Sequence, residues 1–337
     1  MTWLTWRQHR VQIVGLIAVA ILVTAGIWIV AEYALRSRAE LGVDSCVPET
    51  RTIVTPSGPQ QIINSSTCSD LISQWQERIG LWRYLFFTIY LIPALAASYV
   101  GGPLFALEFE RATHRLAWTQ SIGRLRWAGV KLAVIIAAAL IAAAILAVAI
   151  GPSRVLMGVG RSGTDVKPFE TFDLEGPAIA SYMVFGIAAA AFVGAWSRRI
   201  LAAMFVGLLV FGVARVAVHN LRPWYETPII MPLEMISVIP RDALFVDVPA
   251  VDRDGQPVTR ERVSSLLSEY FRSPSRFAPS ASSNDSTYLA DRGVFRRIGY
   301  QPVERFWTFQ AIEAGIFTGL AALFALLTLW RVRTRDA

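Results

Sequence analysis

The chain has 337 residues, of which 54% are hydrophobic and 17% charged, and its mean hydropathy is +0.45; soluble domains carry about 25% charged residues. The apolar residues fall in long blocks, and a block of about 20 is enough to cross a hydrocarbon core roughly 30 Å thick, which excludes a single water-soluble core. The net charge is +7, but the cations, almost all Arg, sit at the ends of the blocks rather than on one basic face, which argues for membrane topology and against nucleic-acid binding.

The pattern predicts an all-α membrane protein with six transmembrane helices, at residues 11–35, 84–104, 132–150, 178–196, 201–218 and 306–330. A chain in lipid must satisfy its own backbone hydrogen bonds, and the alternating segments of a β-barrel do not occur in this sequence. The first block is too long for a signal-peptide core and ends without a small-residue cleavage site. Residues 36–79 form an outer loop holding both cysteines, Cys46 and Cys68. Two thiols in one loop on the oxidising side read as a disulfide, which would stabilise the local fold by about 3 kcal/mol in the chain-entropy picture.

The segment of residues 105–128 connects the second and third spans. Residues 151–177 form a short outer segment that is rich in Gly and otherwise uninformative. Its glycine spacing mimics a phosphate loop, but Thr164 stands where Lys is required. In the fourth span Gly186, Ala190 and Gly194 recur every four residues, which favours close helix packing. The long loop after the fifth span reads as an extracellular loop domain between helices 5 and 6. Within it Val263, Leu266, Leu267, Tyr270 and Phe271 follow helical spacing after a capping Thr259. Residues 228–239 are too short and Pro-broken to span, and read as interfacial or re-entrant. The Ser-rich stretch 280–286 reads as a flexible linker. The chain thus divides into residues 1–220 (five spans), 221–305 (the extracellular loop or cap) and 306–337 (the sixth span and a basic tail).

Orientation follows from the short connections. Arg7, Arg10, Arg111, Arg115, Arg124, Arg126, Lys131, Arg198, Arg199, Arg331, Arg333 and Arg335 flank the spans on one side, against the acids Glu108, Glu110 and Asp336. This bias places both termini in the cytoplasm of a multi-pass plasma-membrane protein. Two ionisable residues lie inside spans, Arg215 in the fifth and Glu313 in the sixth. Such groups are usually paired or in a cavity. They are expected either to meet near the outer mouth, or to part, with Arg215 snorkelling outward and Glu313 facing the cap through water.

The sequence holds no His-Glu-x-x-His helix, no Cys/His metal cluster and no Gly-x-Ser-x-Gly elbow. A secondary transporter would need coupling carboxylates at mid-membrane, and the span centres hold almost none. A membrane-anchored sensor or enzyme acting through the long outer loop, with Asp242, Asp247, Asp252 and Asp254, is the alternative to transport. The connection after the second span, as a helix, is amphipathic and carries both signs of charge, with Arg111 and Arg115 one turn apart. That suits docking onto a soluble partner and, equally, lying on anionic lipid headgroups.

Three stretches point further. They are Met1-Thr-Trp-Leu-Thr-Trp-Arg-Gln-His-Arg10; Glu108-Phe-Glu-Arg-Ala-Thr-His-Arg-Leu-Ala-Trp-Thr-Gln-Ser121 with Arg124-Leu-Arg-Trp127 and Lys131; and Arg305-Phe-Trp-Thr-Phe-Gln310 with Glu313. Through them the chain resembles the permease subunits of type-2 ABC exporters, in the form common among high-GC Gram-positive bacteria. One departure is Ala112, where the pattern has Gly, and it is expected to matter little. The resemblance implies a non-enzymatic permease without cofactor or metal of its own, exporting an amphiphilic or hydrophobic substrate. ATP and Mg would sit on two copies of a separate cytosolic ATPase. A second permease copy, identical or a close paralogue, would complete the dimer. The opening segment would lie along the cytosolic membrane surface. The coupling helix would present Glu108, Glu110, Arg111, Thr113, His114 and Arg115 to the ATPase, with Phe109 and Leu116 as packing residues.

Overall fold

The computed structural model of the protein describes residues 2–46, 49–55, 58–64, 66–112, 123–158, 167–240, 242–272 and 285–334. Thr113, His114 and Arg115, the phosphate-loop-like glycines beyond Gly158 and most of the Ser-rich stretch lie outside the described residues. Six helical stretches among them are long and apolar enough to cross a membrane, Thr5–Glu40, Cys68–Glu110, Arg124–Ala147, Ala178–Ser197, Ile200–Trp224 and Val303–Thr334. This is the number the hydropathy pattern predicts. The chain forms two compact units, one of residues 1–166, 170–217 and 310–337, the other of residues 167–169 and 218–309.

The first unit opens with α1 (Thr2–Glu40), an unbroken helix of 39 residues. At 1.5 Å per residue it is about 58 Å long, far more than a hydrocarbon core. The opening segment is therefore the first turns of the spanning helix and not a separate helix lying on the surface. No Pro or Gly interrupts residues 2–14, so nothing breaks the backbone ladder there. The buried face of α1 is Ile13, Leu16, Ala20, Ile27, Ala31 and Ala34, spaced by three, four and seven residues. Thr24 Oγ1 and Trp28 Nε1 donate to the carbonyls of Ile145 and Val148 at 3.2 and 3.3 Å, tying α1 to the third span, α5 (Arg124–Ala147).

After α1 come an antiparallel hairpin, β1 (Glu49–Thr55) with β2 (Gly58–Asn64), and α2 (Ser66–Ile79). Cys46 and Cys68 form a disulfide with Cα atoms 5.7 Å apart, joining the chain beyond α1 to the first turn of α2. Trp75 of α2 is buried and its Nε1 donates to the Ala34 carbonyl at 2.9 Å. The second span is not one regular helix. It runs through a 3₁₀ stretch (Gly80–Phe86), α3 (Phe87–Leu95), a π-helical stretch (Ala96–Gly101) and α4 (Pro103–Glu110). Pro93 lies inside α3 and Pro103 opens α4. A proline has no N–H to donate, so the ladder shifts register around it.

After α5 come a short helix α6 (Ile150–Gly158), the fourth span α7 (Ala178–Ser197) and α8 (Ile200–Leu221). α7 is the centre of the unit, with 78% of its apolar stretch buried against 17% for the fifth span. The reason is its small residues. A Cβ on Gly101 would stand 2.7 Å from the Ile187 carbonyl, one on Gly194 2.8 Å from the Gly102 carbonyl, and one on Gly207 of α8 2.5 Å from the Ala190 Cβ. In lipid, helix association draws on such close contact, because apolar burial alone gives no advantage over lipid tails. The sixth span is α11 (Phe306–Thr334).

The second unit holds a three-stranded antiparallel sheet, order β3-β5-β4, from β3 (Ile229–Pro232), β4 (Leu244–Val246) and β5 (Arg297–Gln301). The run 228–239, expected to be interfacial or re-entrant, supplies edge strand β3 and a 3₁₀ stretch (Leu233–Val238). The expected amphipathic helix is α9 (Arg260–Arg272), and Thr259 Oγ1 accepts from the Arg262 N–H at 3.4 Å. Its Leu266 packs with Leu289 of α10 (Asp285–Asp291) and with Val294. Tyr270 is buried and Phe271 points out. Gln301 pins the start of the unit, its Nε2 donating to the Pro223 and Glu226 carbonyls at 2.9 and 2.6 Å.

The α7–α8 contact makes a direct prediction. Gly207→Ala should destabilise the bundle by about 1–3 kcal/mol, and adding Ala190→Gly should recover part of the loss. Thermal unfolding of both variants in lipid nanodiscs measures this; unfolding midpoints equal to the parent would refute the close approach.

Candidate functional site

Two charge clusters are built into the membrane unit. The first stands where the chain leaves the second span and re-enters the third. Glu108, near the end of α4, and Lys131, on α5, are both buried and form an ion pair. Apolar rings pack around it. Lys131 Nζ lies 4.7 Å from the centre of the Trp127 ring, one turn earlier on α5. Phe105 and Phe109 meet that indole edge-on, with ring centres 5.5 and 6.4 Å away. α1 contributes buried His9, whose Nδ1 is 2.7 Å from Gln12 Oε1; Gln12 Nε2 donates to the Tyr99 carbonyl at 3.4 Å. Removing one partner of a buried ion pair strands the other charge away from water, at a cost of about 3–5 kcal/mol. The two stems of the connection are therefore held together.

Two residues further on, Glu110 is exposed and its Oε2 accepts the N–H of Ile200 at 3.0 Å. A carboxylate there satisfies a free donor at the start of α8 and complements the positive end of the helix dipole. The Arg198 guanidinium lies 5.6 Å from the centre of the Phe109 ring. The connection is thus tied to α5 through Glu108 and to α8 through Glu110.

Among the residues the resemblance assigns to coupling, Glu108 is turned inward, not presented on a docking surface, because Lys131 needs a counter-charge in an apolar setting. Glu110 is exposed but engaged with Ile200. Arg111 is exposed. Ala112 follows with φ of +56°, the left-handed region that costs an L-residue roughly 1–2 kcal/mol and glycine nothing. The Gly-to-Ala departure noted in the sequence therefore falls where glycine has a physical purpose.

The second cluster joins α7, α8, α11 and residues 171–175, just before α7. Arg215 of α8 places Nη1 3.0 Å from Glu313 Oε1 and Nη2 2.9 Å from Asp173 Oδ2. Tyr182 of α7 donates its hydroxyl to Glu313 Oε1 at 2.6 Å, and the guanidinium stacks 3.9 Å from the centre of its ring. Glu313 is fully buried. Buried Gln310 donates to the Phe172 carbonyl at 2.6 Å and accepts the Ala178 N–H at 3.3 Å. Glu175 binds Arg154 and Thr171. Arg215 and Glu313, singled out in the sequence, are brought together. Asp173 and Tyr182 were missed there, since one sits in a segment without pattern and the other in an apolar block. The only signal was that a lone Arg in a span needs carboxylates near it.

Among the described residues no group of three His, Cys, Asp or Glu is placed to hold a metal ion. The model of a protein family described as ABC-2 membrane transporter related matches residues 4–222. No curated protein and no solved structure matches the chain. The matched stretch runs from the first turn of α1 to the end of α8 and includes all of the first cluster.

Two stability measurements follow. Ala112→Gly should stabilise the protein by roughly 0.5–1 kcal/mol by relieving the positive φ; no gain on thermal unfolding would place that strain elsewhere. Lys131→Met should cost about 3 kcal/mol, and Glu108→Gln in the same chain should restore most of it, since the cost lies in the stranded charge. Additive losses in that cycle would exclude a direct pair.

Proposed function

The chain belongs to the ABC-2 membrane transporter related family, and from that membership we propose that it is the permease of an ATP-driven exporter for an amphiphilic or hydrophobic substrate. Permeases of this family are transmembrane components that generally work with an ABC ATPase partner. In the proposed assembly two cytosolic ATPase subunits bind and hydrolyse ATP with Mg, and this chain has no catalytic residue. A second permease copy, identical or paralogous, faces it across the membrane. Both termini and the connection after α4 are cytoplasmic, and residues 218–309 are extracellular.

The observation that carries the reading is the anchoring of that connection. Arg111 is exposed where that connection leaves α4, and Glu108 and Glu110 bind its stem to two spans. A displacement imposed there by a partner passes to α5 through the Glu108–Lys131 pair and to α8 through the hydrogen bond from Ile200. The buried ion pair resists being pulled apart, because separating it strands a charge away from water, and the exposed Glu110 bond adds a second, weaker tie at the start of α8. α8 also keeps an apolar stripe on its outer face, Leu201, Phe205, Leu209, Val213 and Val216, all exposed. Such a stripe suits lipid or the second copy lining a path for an apolar cargo.

The test is co-purification of the tagged protein with an ATPase encoded beside it. Arg111→Glu and Arg115→Glu should weaken the complex about tenfold or more. Glu110→Gln should leave the complex intact and reduce its ATPase stimulation by transport substrate. A complex indifferent to both arginine reversals, or no partner at all, would overturn the coupling assignment and favour a helix lying on lipid.

A further inference from the structure

The second unit contains a cleft of about 660 Å³ between the sheet and α9, a size typical of small-ligand sites. Its floor is aliphatic, formed by Val246, Val248, Val263, Leu267 and Ile298. Its charged lining is one-sided: Arg260, Arg296 and Arg297 against the single acid Asp247. Arg297 directs Nε and Nη2 to the Pro249 carbonyl, at 3.3 and 3.2 Å, and no carboxylate pairs with it among the described residues. Arg260 is bound to Asp247, but both side chains are largely exposed, so that pair is weak and readily exchanged. Arg296 is held by Asp285 at 2.7 Å outside the cleft lining. The cleft therefore joins an apolar trough to guanidinium groups that are not fully engaged by the protein's own acids.

We propose that this cleft binds a long-chain carboxylate, with the chain on the Val248–Val263–Leu267–Ile298 floor and the carboxylate at Arg260 and Arg297. Guanidinium groups pair with carboxylates through two parallel hydrogen bonds, and apolar burial supplies the rest of the affinity. A peptide added as an extra strand fits less well. The edge strand beside the cleft, β4, has three residues, too few for a strand to add by backbone hydrogen bonds. The site lies within one unit and its occupancy does not depend on the transport reading, so each fails or stands by its own measurement.

The experiment uses the full chain in nanodiscs of zwitterionic lipid with a diazirine-bearing palmitate, the crosslinked peptides being mapped by mass spectrometry. Label should appear on peptides containing residues 244–250 and 260–267, be displaced by palmitate, and not be displaced by hexadecyltrimethylammonium. Arg260→Glu and Arg297→Glu should each lower that labelling about tenfold. Because Arg297 also braces Pro249, Ser264→Trp serves as a second variant: Ser264 is exposed and lines the cleft, so the indole fills the trough without breaking a contact of Arg297. Labelling confined to the spans, displacement by the cation as well as by palmitate, or labelling unchanged in both Arg260→Glu and Ser264→Trp would overturn the proposal.

Discussion

Lys131 is 1% exposed in a setting of aromatic rings and alanines, and an ammonium there persists only beside a counter-charge. Glu108 supplies it, and much of the membrane unit follows from that pairing. It fixes the rotation of α4 and α5, holds the two stems of the connection between them, and seats Trp127 between Phe105 and Phe109. With Glu108 turned inward, Glu110 faces the opposite way, toward the start of α8. Two acids two residues apart thereby bind two different spans. The same electrostatic demand recurs at Arg215, which draws Glu313 and Asp173 and the Tyr182 ring into contact. The first cluster joins the consecutive second and third spans and the second joins helices about a hundred residues apart, so each resists sliding of one span past another.

Between the two clusters the bundle is held by backbone proximity. The glycines of the π-helical turn and of α7 and α8, Gly101, Gly186, Gly194 and Gly207, leave no room for a Cβ. Dispersion forces fall steeply with distance, so removing one methyl from an interface brings many atoms into range. The irregular second span fits this arrangement. Its π turn places Ala96, Ala97, Val100 and Gly101 against the small face of α7, all buried.

Much of this was legible in the sequence. Long apolar blocks predicted six spans, because a backbone in lipid has few alternatives to a helix. Cysteine placement predicted the disulfide, and the spacing after Thr259 predicted α9. The inward turn of Glu108 was not legible, since a charge at the edge of a span reads as solvated until its partner is located. Lys131, counted among the flanking cations, is that partner. Ala112 carried a readable signal that was undervalued: a position where glycine is expected often marks a positive φ.

The sequence alone determined which segments are long and apolar enough to cross a membrane, because transfer of apolar side chains is a local property that sums along the chain, and its motifs carried the resemblance to ABC-2 permeases that the family match over residues 4–222 supports. It also identified Arg215 and Glu313 as groups requiring partners. Only the tertiary structure decided who those partners are, how closely α7 approaches its neighbours, and that arginines line one aliphatic cleft in the second unit. Such facts depend on contacts between residues tens to more than a hundred positions apart, and helix periodicity gives each residue a face without saying which other helix it meets.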